Sequence, residues 1–300
     1  MKPTWEKTTM TTTSIGVIMT TFNRKASTLK SLESLAFAAQ RAGVRPIVFL
    51  TDAGSDGTAQ SVLEQYPDAV VDQVDKNVYW NRGMALSMSS AIKDSSLPFF
   101  LWLNDDTVLR EEAINDIFRA LHSVFARPEQ RQIVVGETLD PSNGALTYGA
   151  LFPSKAHPLR FSLRTEAHLG DTPVTFNGNC VFLPREVVDE LGTIDASYTH
   201  AYGDIDYGLR ATQAGIPITV VPKAIGWCVR NPPAGTWADV TAPLSFRLKD
   251  IFGPKGRPWR DQYHFARRFG GRLWPYWAIR PYMGVIASSL KNKWGVRLHG

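Results

Sequence analysis

Apolar and polar positions along the first 125 residues switch repeatedly between two periods. Residues 15–20 form an apolar, β-prone run and predict a buried strand. Over residues 24–42, Leu29, Leu32, Leu35 and Ala36 recur at helical spacing, and Gly43 ends the pattern. A second apolar strand is predicted at 46–50, then a turn-rich loop at 52–58 and a helix running to Tyr66. A third strand follows at 69–74, a helix at 81–93, and a fully apolar strand at 99–103. The next helix, 111–125, places Ile114, Ile117, Phe118 and Leu121 on one face. Strand alternating with helix predicts an α/β fold with a mostly parallel, doubly wound central sheet flanked by helices. Such sheets bind ligands beyond the carboxyl ends of their strands. The polar motifs fall there: after Thr20, after Leu50 and after Leu103.

Beyond residue 130 the pattern becomes mixed. Strands are expected at 133–136, 174–183 and 216–221. Ser142-Asn143-Gly144 reads as a hairpin turn, with 147–152 returning from it. Short helices at 185–191 and 204–214 are stopped by Gly192 and Gly215. From 231 onward Pro, Gly, Arg and Trp become frequent, and helices are predicted at 244–252, 259–269 and 277–290. The expected organisation is a leader at 1–13, a domain at 14–230 and a basic, aromatic, helical C-terminal region at 231–300. Within the domain a first half at 14–107 and a second at 108–230 are expected.

The chain has 300 residues, 44% of them hydrophobic and 20% charged, enough for a sizeable core. A net charge of +5 is compatible with nucleic acid, an anionic membrane or a phosphorylated ligand. The excess of Arg and Lys lies mainly beyond Arg230. There, Arg267, Arg268, Arg272 and Arg280 interleave with Trp274, Tyr276, Trp277 and Tyr282, and Lys291, Lys293, Trp294 and Arg297 follow. That mixture suits peripheral contact with an anionic membrane; a packed subdomain or a homodimer contact is the plainer alternative. Cys180 and Cys228 have no metal-ligand spacing, so a reduced, cytoplasmic setting is the simplest expectation. The apolar stretch 273–290 is interrupted by Arg280 and Pro281, so it is expected to lie on the inner face of the cytoplasmic membrane or to pack in the fold.

Four constellations are able to carry chemistry. Asn104-Asp105-Asp106-Thr107 leaves a buried strand, where adjacent carboxylates repel and lose water. A hard cation, Mn²⁺ or Mg²⁺, relieves that repulsion with help from substrate phosphates; a helix cap is the alternative. Asp52-Ala53-Gly54-Ser55-Asp56-Gly57-Thr58 offers an acidic residue at a strand end, as in dinucleotide folds, or an ordinary turn into a helix cap. Thr20-Thr21-Phe22-Asn23-Arg24 combines backbone donors with a cation, suited to an anion or to a plain connection. In Tyr202-Gly203-Asp204-Ile205-Asp206, Asp204 at the helix start is placed for general-base work. Asp206 lies one turn from Arg210, the spacing of a structural ion pair.

As a set, these motifs resemble inverting family 2 glycosyltransferases of the GT-A fold over about residues 14–228, with a C-terminal helical extension beyond. The matching strings are TTFNR at 20–24, TDAGSDGT at 51–58, KNVYWNRGM at 76–84 and LWLNDDT at 101–107. FNGNCVFLPREVVDELGTID at 176–195 and HAYGDIDYGLRATQAG at 200–215 complete the set. The nearest likeness is to the bacterial rhamnosyltransferase-like branch, which builds cell-surface polysaccharide. The resemblance implies a nucleoside-diphosphate sugar donor and a glycan or lipid-linked acceptor, with 14–107 as the nucleotide-binding half and 108–230 as the acceptor-binding half. It implies nucleotide-sugar contacts from Thr21, Asn23, Arg24, Asp52, Trp80, Asn81 and Asp105, and a Mn²⁺ or Mg²⁺ ion on Asp106. Asp204 is implied as the base that deprotonates the acceptor, with Gly178, Asn179 and Tyr202 on the acceptor side. Tyr198 and His200 join Tyr202 as rings for stacking on a sugar. This chain departs from its relatives in three places: Asn104 replaces the first carboxylate of the DxD motif, Gly203 stands where many have Glu, and Trp227 where many have His.

Three other classes compete. A nucleotidyltransferase would need a Gly-rich phosphate loop, which TTFNR lacks. Acidic residues at the strand ends argue against a nucleic-acid partner. A catalytically silent scaffold of the same fold remains open because of Asn104 and Gly203.

Overall fold

The computed structural model describes residues 13–123, 131–154, 157–165 and 171–297, with side chains described up to 290 and not at 123. The expected leader, the last turn of the helix predicted to reach Phe125, and the side chains of Lys291, Lys293, Trp294 and Arg297 lie outside the described residues. In chain order the first elements are β1 (Ser14–Thr21), α1 (Lys25–Ala42), β2 (Arg45–Asp52), α2 (Thr58–Gln65) and β3 (Val70–Gln73). Next come α3 (Trp80–Ala91), β4 (Phe99–Leu103), β5 (Val108–Leu109) and α4 (Ala113–Ser123). The middle of the chain holds β6 (Ile133–Val135), β7 (Thr138–Leu139), β8 (Leu146–Tyr148), β9 (Ala150–Ser154) and β10 (His157–Leu163). There follow β11 (Thr175–Phe176), β12 (Cys180–Pro184), α5 (Arg185–Leu191), α6 (Gly203–Gln213), β13 (Ile218–Val220) and β14 (Gly226–Trp227). The chain then runs through α7 (Leu244–Ile251), α8 (Trp259–Phe269) and α9 (Trp274–Arg297).

The main sheet has the order β13-β6-β12-β4-β1-β2-β3. Its pairs are parallel except where β12 runs antiparallel to both β4 and β6. Side chains alternate across a strand, so each strand feeds two cores. Val17, Met19, Leu101 and Leu103 point to one face and pack with Leu32 and Leu35 of α1 and Ile114 and Ile117 of α4. Ile18, Phe100 and Trp102 point to the other and pack with Met84 and Met88 of α3, Val187 of α5 and Tyr207 of α6. Burial on both faces explains why these strands read as continuous apolar runs.

The predicted first half stands within a few residues of the observed boundaries. The second half corrects two expectations. The run predicted as a strand at 174–183 is two strands in different sheets: β11 pairs with β9, while β12 joins the main sheet. Asn177, Gly178 and Asn179 make the break between them. The strand expected to return from the hairpin is likewise split. β8 pairs with β7 in a small sheet with β5 and β14, and β9 leaves to pair with β10 and β11.

The C-terminal helices pack on the loop before α6. Asp261 of α8 accepts from the Thr199 amide at 2.6 Å. Arg268 reaches Asp195 at 3.3 Å and the fully buried Asp206 at 3.0 Å. The expected pair between Asp206 and Arg210 is present at 2.9 Å. Phe265 stacks on Tyr202 with centroids 4.5 Å apart.

Candidate active site

A cavity of about 730 Å³ opens at the carboxyl ends of β1 and β4. It brings together Thr21, Arg24, Trp80, Asp105, Asp106 and Asp204, with Gly178, Asn179 and Tyr202. Five of these come from residues 14–107 and four from beyond them, so both parts of the chain build the cleft.

The acidic turn forms the floor. Asp105 is buried; its Oδ2 accepts from the Thr21 hydroxyl at 2.9 Å and its Oδ1 from Arg24 at 3.3 Å. Burial pushes its carboxyl up to about 6, against the pull of Arg24. Asp106 is more open and pairs with the same guanidinium at 2.7 Å. Burial works against the Arg24 charge, yet Asp105 and Asp106 together raise its affinity for the proton. The Cys228 thiol donates to the other Asp106 oxygen at 3.3 Å. The indole of Trp80 donates to the Asn104 side chain at 2.9 Å, which fixes one wall. Neither Asp105 nor Asp106 caps a helix through the bonds seen here, so the cap reading loses its support.

Asp204 occupies the first turn of α6. Its Oδ2 accepts from the Gly178 amide at 3.0 Å and its Oδ1 from the Ile205 amide at 2.8 Å. Each oxygen keeps a second lone pair. Burial pushes the carboxyl up to about 6, although the two amides favour its anion. The backbone approaches closely on both sides. A Cβ at Gly178 would lie 2.7 Å from the Trp80 ring, and one at Gly203 would lie 1.5 Å from Asn81 Oδ1. Gly203, a departure from the family pattern in sequence, is thus required here by the packing of Asn81. Tyr202, with φ at +76°, sets the turn into the helix and is one of two described non-glycine residues with a left-handed φ.

Asn23, Asp52, Asn81 and Tyr198 lie outside the cavity wall. Asn23, also left-handed, accepts from the Ser55 amide at 2.8 Å. The two oxygens of Asp52 accept from the Gly54 and Ala59 amides, which makes it a turn and a cap for α2. Asn81 is buried and donates to the carbonyls of Asp195 and Tyr198 at 2.8 and 3.0 Å. Of the rings considered for a sugar, Tyr198 is fully buried and Tyr202 is covered by Phe265. His200 lines the cavity, and burial, with Lys255 nearby, pushes it down to about 4, so it is neutral at pH 7.

Tyr148, Asn231 and Lys255 also line the cavity and were not singled out in sequence. They lie on a short strand and on irregular segments, and no local pattern marks them. Trp227, which stands where many relatives have His, ends β14 and is 41% exposed, while its neighbour Cys228 turns in to Asp106.

The fold and this cleft define the class: a nucleotide-sugar-dependent glycosyltransferase of the GT-A type. The chain belongs to the glycosyltransferase-like family 2, whose model matches residues 13–247. Among solved structures it is similar to the mannosyltransferase PcManGT from Pyrobaculum calidifontis, in complex with GDP-Man and Mn²⁺. The identity is 15% and the TM-score 0.54, over 95% of this chain and 75% of that one. It is also similar to S. aureus TarS 1-349 in complex with UDP, at 14% identity and TM-score 0.49, over 87% and 72%. The catalytic domain of Drosophila beta1,4galactosyltransferase 7, in complex with xylobiose, matches at 12% and TM-score 0.42, over 70% and 66%. No curated protein matches the chain in sequence.

The donor set can be tested against a divalent ion. Among the described residues no group of three or more His, Cys, Asp or Glu side chains is placed to hold one. Two adjacent carboxylates beside an open cavity instead fit a hard ion that completes its shell with phosphate oxygens and water, as Mg²⁺ and Mn²⁺ do. Asp106 is the more accessible of the two, with 28% of its side chain exposed.

Proposed function

We propose that the chain is an inverting, metal-assisted glycosyltransferase that moves a sugar from a nucleoside diphosphate to an acceptor hydroxyl. The observation that carries this reading is the presence of Asp204 and the Asp105-Asp106 turn on one cavity. Asp106, with Asp105 behind it, would hold the Mn²⁺ or Mg²⁺ ion. When bound, that ion supplies Lewis-acid stabilisation of the leaving diphosphate.

Arg24 lies where the diphosphate would arrive and is held between two carboxylates. Thr21 orients Asp105, and Trp80 fixes Asn104. Asn23 and Asp52 brace the loop behind the nucleotide, and Asn81 braces the loop before Asp204. Asp204 takes the proton of the acceptor hydroxyl as its oxygen bonds to the anomeric carbon. The bond from that carbon to the phosphate oxygen breaks on the opposite face, and the nucleoside diphosphate leaves. This displacement inverts the anomeric centre. Rhamnose as the donor sugar, and cell-surface polysaccharide as the product, are proposed on the sequence resemblance alone, and a cytoplasmic location on the cysteine pattern.

A thermal-shift screen of UDP-, GDP- and dTDP-sugars with and without Mn²⁺ tests the donor site. At least one donor is expected to stabilise the protein, and more so with the ion. Asp106→Ala is expected to remove the ion-dependent part by calorimetry. Equal binding with and without Mn²⁺ in both proteins would remove the metal from the mechanism.

The acceptor is proposed to be a glycan or a lipid-linked molecule, met at a membrane surface through α9. Among the described residues no helix is long and apolar enough to cross a membrane. Yet Tyr276, Ile279, Met283 and Leu290 recur on one face of α9 and are each about half exposed, while Ala278, Tyr282 and Val285 on the other face are buried. Arg272 and Arg280 are exposed beside that stripe, which suits an anionic bilayer. The protein is expected to float with anionic vesicles, and Ile279→Asn/Met283→Asn to stay in solution. Flotation of both to the same extent would exclude this face as the contact. A dimer through the same face would appear instead as concentration-dependent mass.

A further inference from the structure

A second cavity, of about 680 Å³, adjoins the first. Asn177, Tyr202 and Ile205 line both, and Ile205 directly follows Asp204. The first cavity mixes Asp105, Asp106 and Asp204 with Arg24, Lys76 and Lys255. The second holds Arg160, Arg230, Arg257 and Arg280, and among the described residues no Asp or Glu lines it. Among the described residues, none of these four arginines forms an ion pair. Arg24, Arg110, Arg210 and Arg268 all do.

Two of the unpaired guanidiniums are held by aromatic rings. Arg257 lies over Tyr202 and Trp237, at 5.6 and 5.3 Å from their centroids, and Arg280 lies 6.0 Å from that of Trp277. Stacking engages the face of a guanidinium and leaves its N–H edge free to donate. His157, also on the wall, is held below its usual range by burial first and then by Arg280, Arg160 and Arg257. The cavity is therefore electropositive, and the cations in it repel until an anion enters.

We propose that the acceptor is anionic and carries a phosphate or diphosphate group. That group would sit among Arg160, Arg230, Arg257 and Arg280 while the acceptor hydroxyl reaches Asp204. This rests on the assignment of Asp204 as the base. Several guanidinium forks match the several oxygens of a phosphate ester, which accepts paired N–H bonds. Trp237 and Trp277 give the same cavity apolar walls next to the charge. A lipid-linked sugar diphosphate and a phosphorylated sugar without lipid share this chemistry.

Calorimetry in EDTA, which removes ion-dependent binding at Asp106, separates the possibilities. The probes are inorganic pyrophosphate, farnesyl diphosphate and farnesol. Pyrophosphate is expected to bind the wild type, more weakly as salt rises. Its affinity should fall about tenfold or more in Arg160→Gln/Arg280→Gln and by less in Arg160→Lys/Arg280→Lys, which keep the charge and lose the forks. Tighter binding of farnesyl diphosphate than of pyrophosphate indicates the lipid-linked source; equal binding indicates a phosphorylated acceptor without lipid. No pyrophosphate binding, unchanged affinity in the Gln variant, or farnesol binding as tightly as farnesyl diphosphate would each overturn the proposal. Donor binding with Mn²⁺ is read on the same Gln variant and is expected to be unchanged. A failed cavity result with intact donor binding therefore sinks only the anionic acceptor, whereas loss of donor binding in the wild type sinks the reading of the first site.

Discussion

Asp204→Asn is expected to lower sugar transfer by roughly 10²–10⁴-fold, the usual contribution of a general base. Asparagine keeps the shape, but its one oxygen accepts from only one of the Gly178 and Ile205 amides and its NH2 faces the other. It cannot take a proton. Donor binding, on the other side of the cavity, should be unchanged by calorimetry. Transfer within a few-fold of wild type would refute the base assignment. The wild-type pH profile makes the same point. With the carboxyl pushed up to about 6, kcat/KM should fall about tenfold per pH unit below 6 and level off above it.

The same shift has a stability consequence. The folded protein holds this proton more tightly than the unfolded chain does. Stability is therefore lost as pH rises from about 4 to about 6, and the loss persists above that. The Asn variant lacks this titration, so its Tm should gain on that of the wild type as pH rises from 4 to 8, on top of a pH-independent cost for the amide its NH2 opposes. A Tm difference that does not change with pH would refute the shift.

The largest stability effect is expected at Gly203→Ala. The new methyl would meet Asn81 Oδ1 at 1.5 Å and Ile194 Cδ1 at 2.9 Å. Asn81 cannot swing away without releasing the Asp195 and Tyr198 carbonyls, both of which it holds from a buried position. Overpacking of this kind costs about 3 kcal/mol, which in a chain of this size lowers Tm by about 10 °C. Asn81→Ala removes the obstructing amide at the cost of two hydrogen bonds. The double variant should therefore be less damaged than the sum of the single ones, a coupling that thermal unfolding of the four proteins measures. Additive losses would show that Gly203 is demanded by something other than Asn81.

The strand-helix order of the first half was legible because its signals are local. Strands buried on both faces are apolar runs, helices carry a 3.6-residue stripe, and glycines punctuate them. The acidic turn after β4 and the carboxylate starting α6 were legible for a related reason: few polar side chains sit at the ends of buried segments without a task. The Asp206–Arg210 pair followed from spacing alone.

Contacts between distant segments were not legible. Nothing near Tyr148, Lys255 or Cys228 in the chain announces that they meet the acidic turn or its cavity, since each is brought there by strands and loops more than 40 residues away. The same holds for Asn81, whose string matched the family while its side chain turned out to hold the Asp195–Tyr198 backbone. It holds again for Gly203, which in sequence looks like a missing carboxylate and in the fold is the only residue that fits.

The chain's own pattern thus determined the sheet, the order of its motifs and the acid-rich mouth of the cleft, because hydrophobic periodicity and turn chemistry act over a few residues. Only the tertiary structure decided which carboxylates face the cavity, which serve as caps or ion pairs, and which arginines have no carboxylate partner among the described residues. Those roles depend on neighbours supplied by other elements, and so on packing, burial and the pairing of charges across the fold.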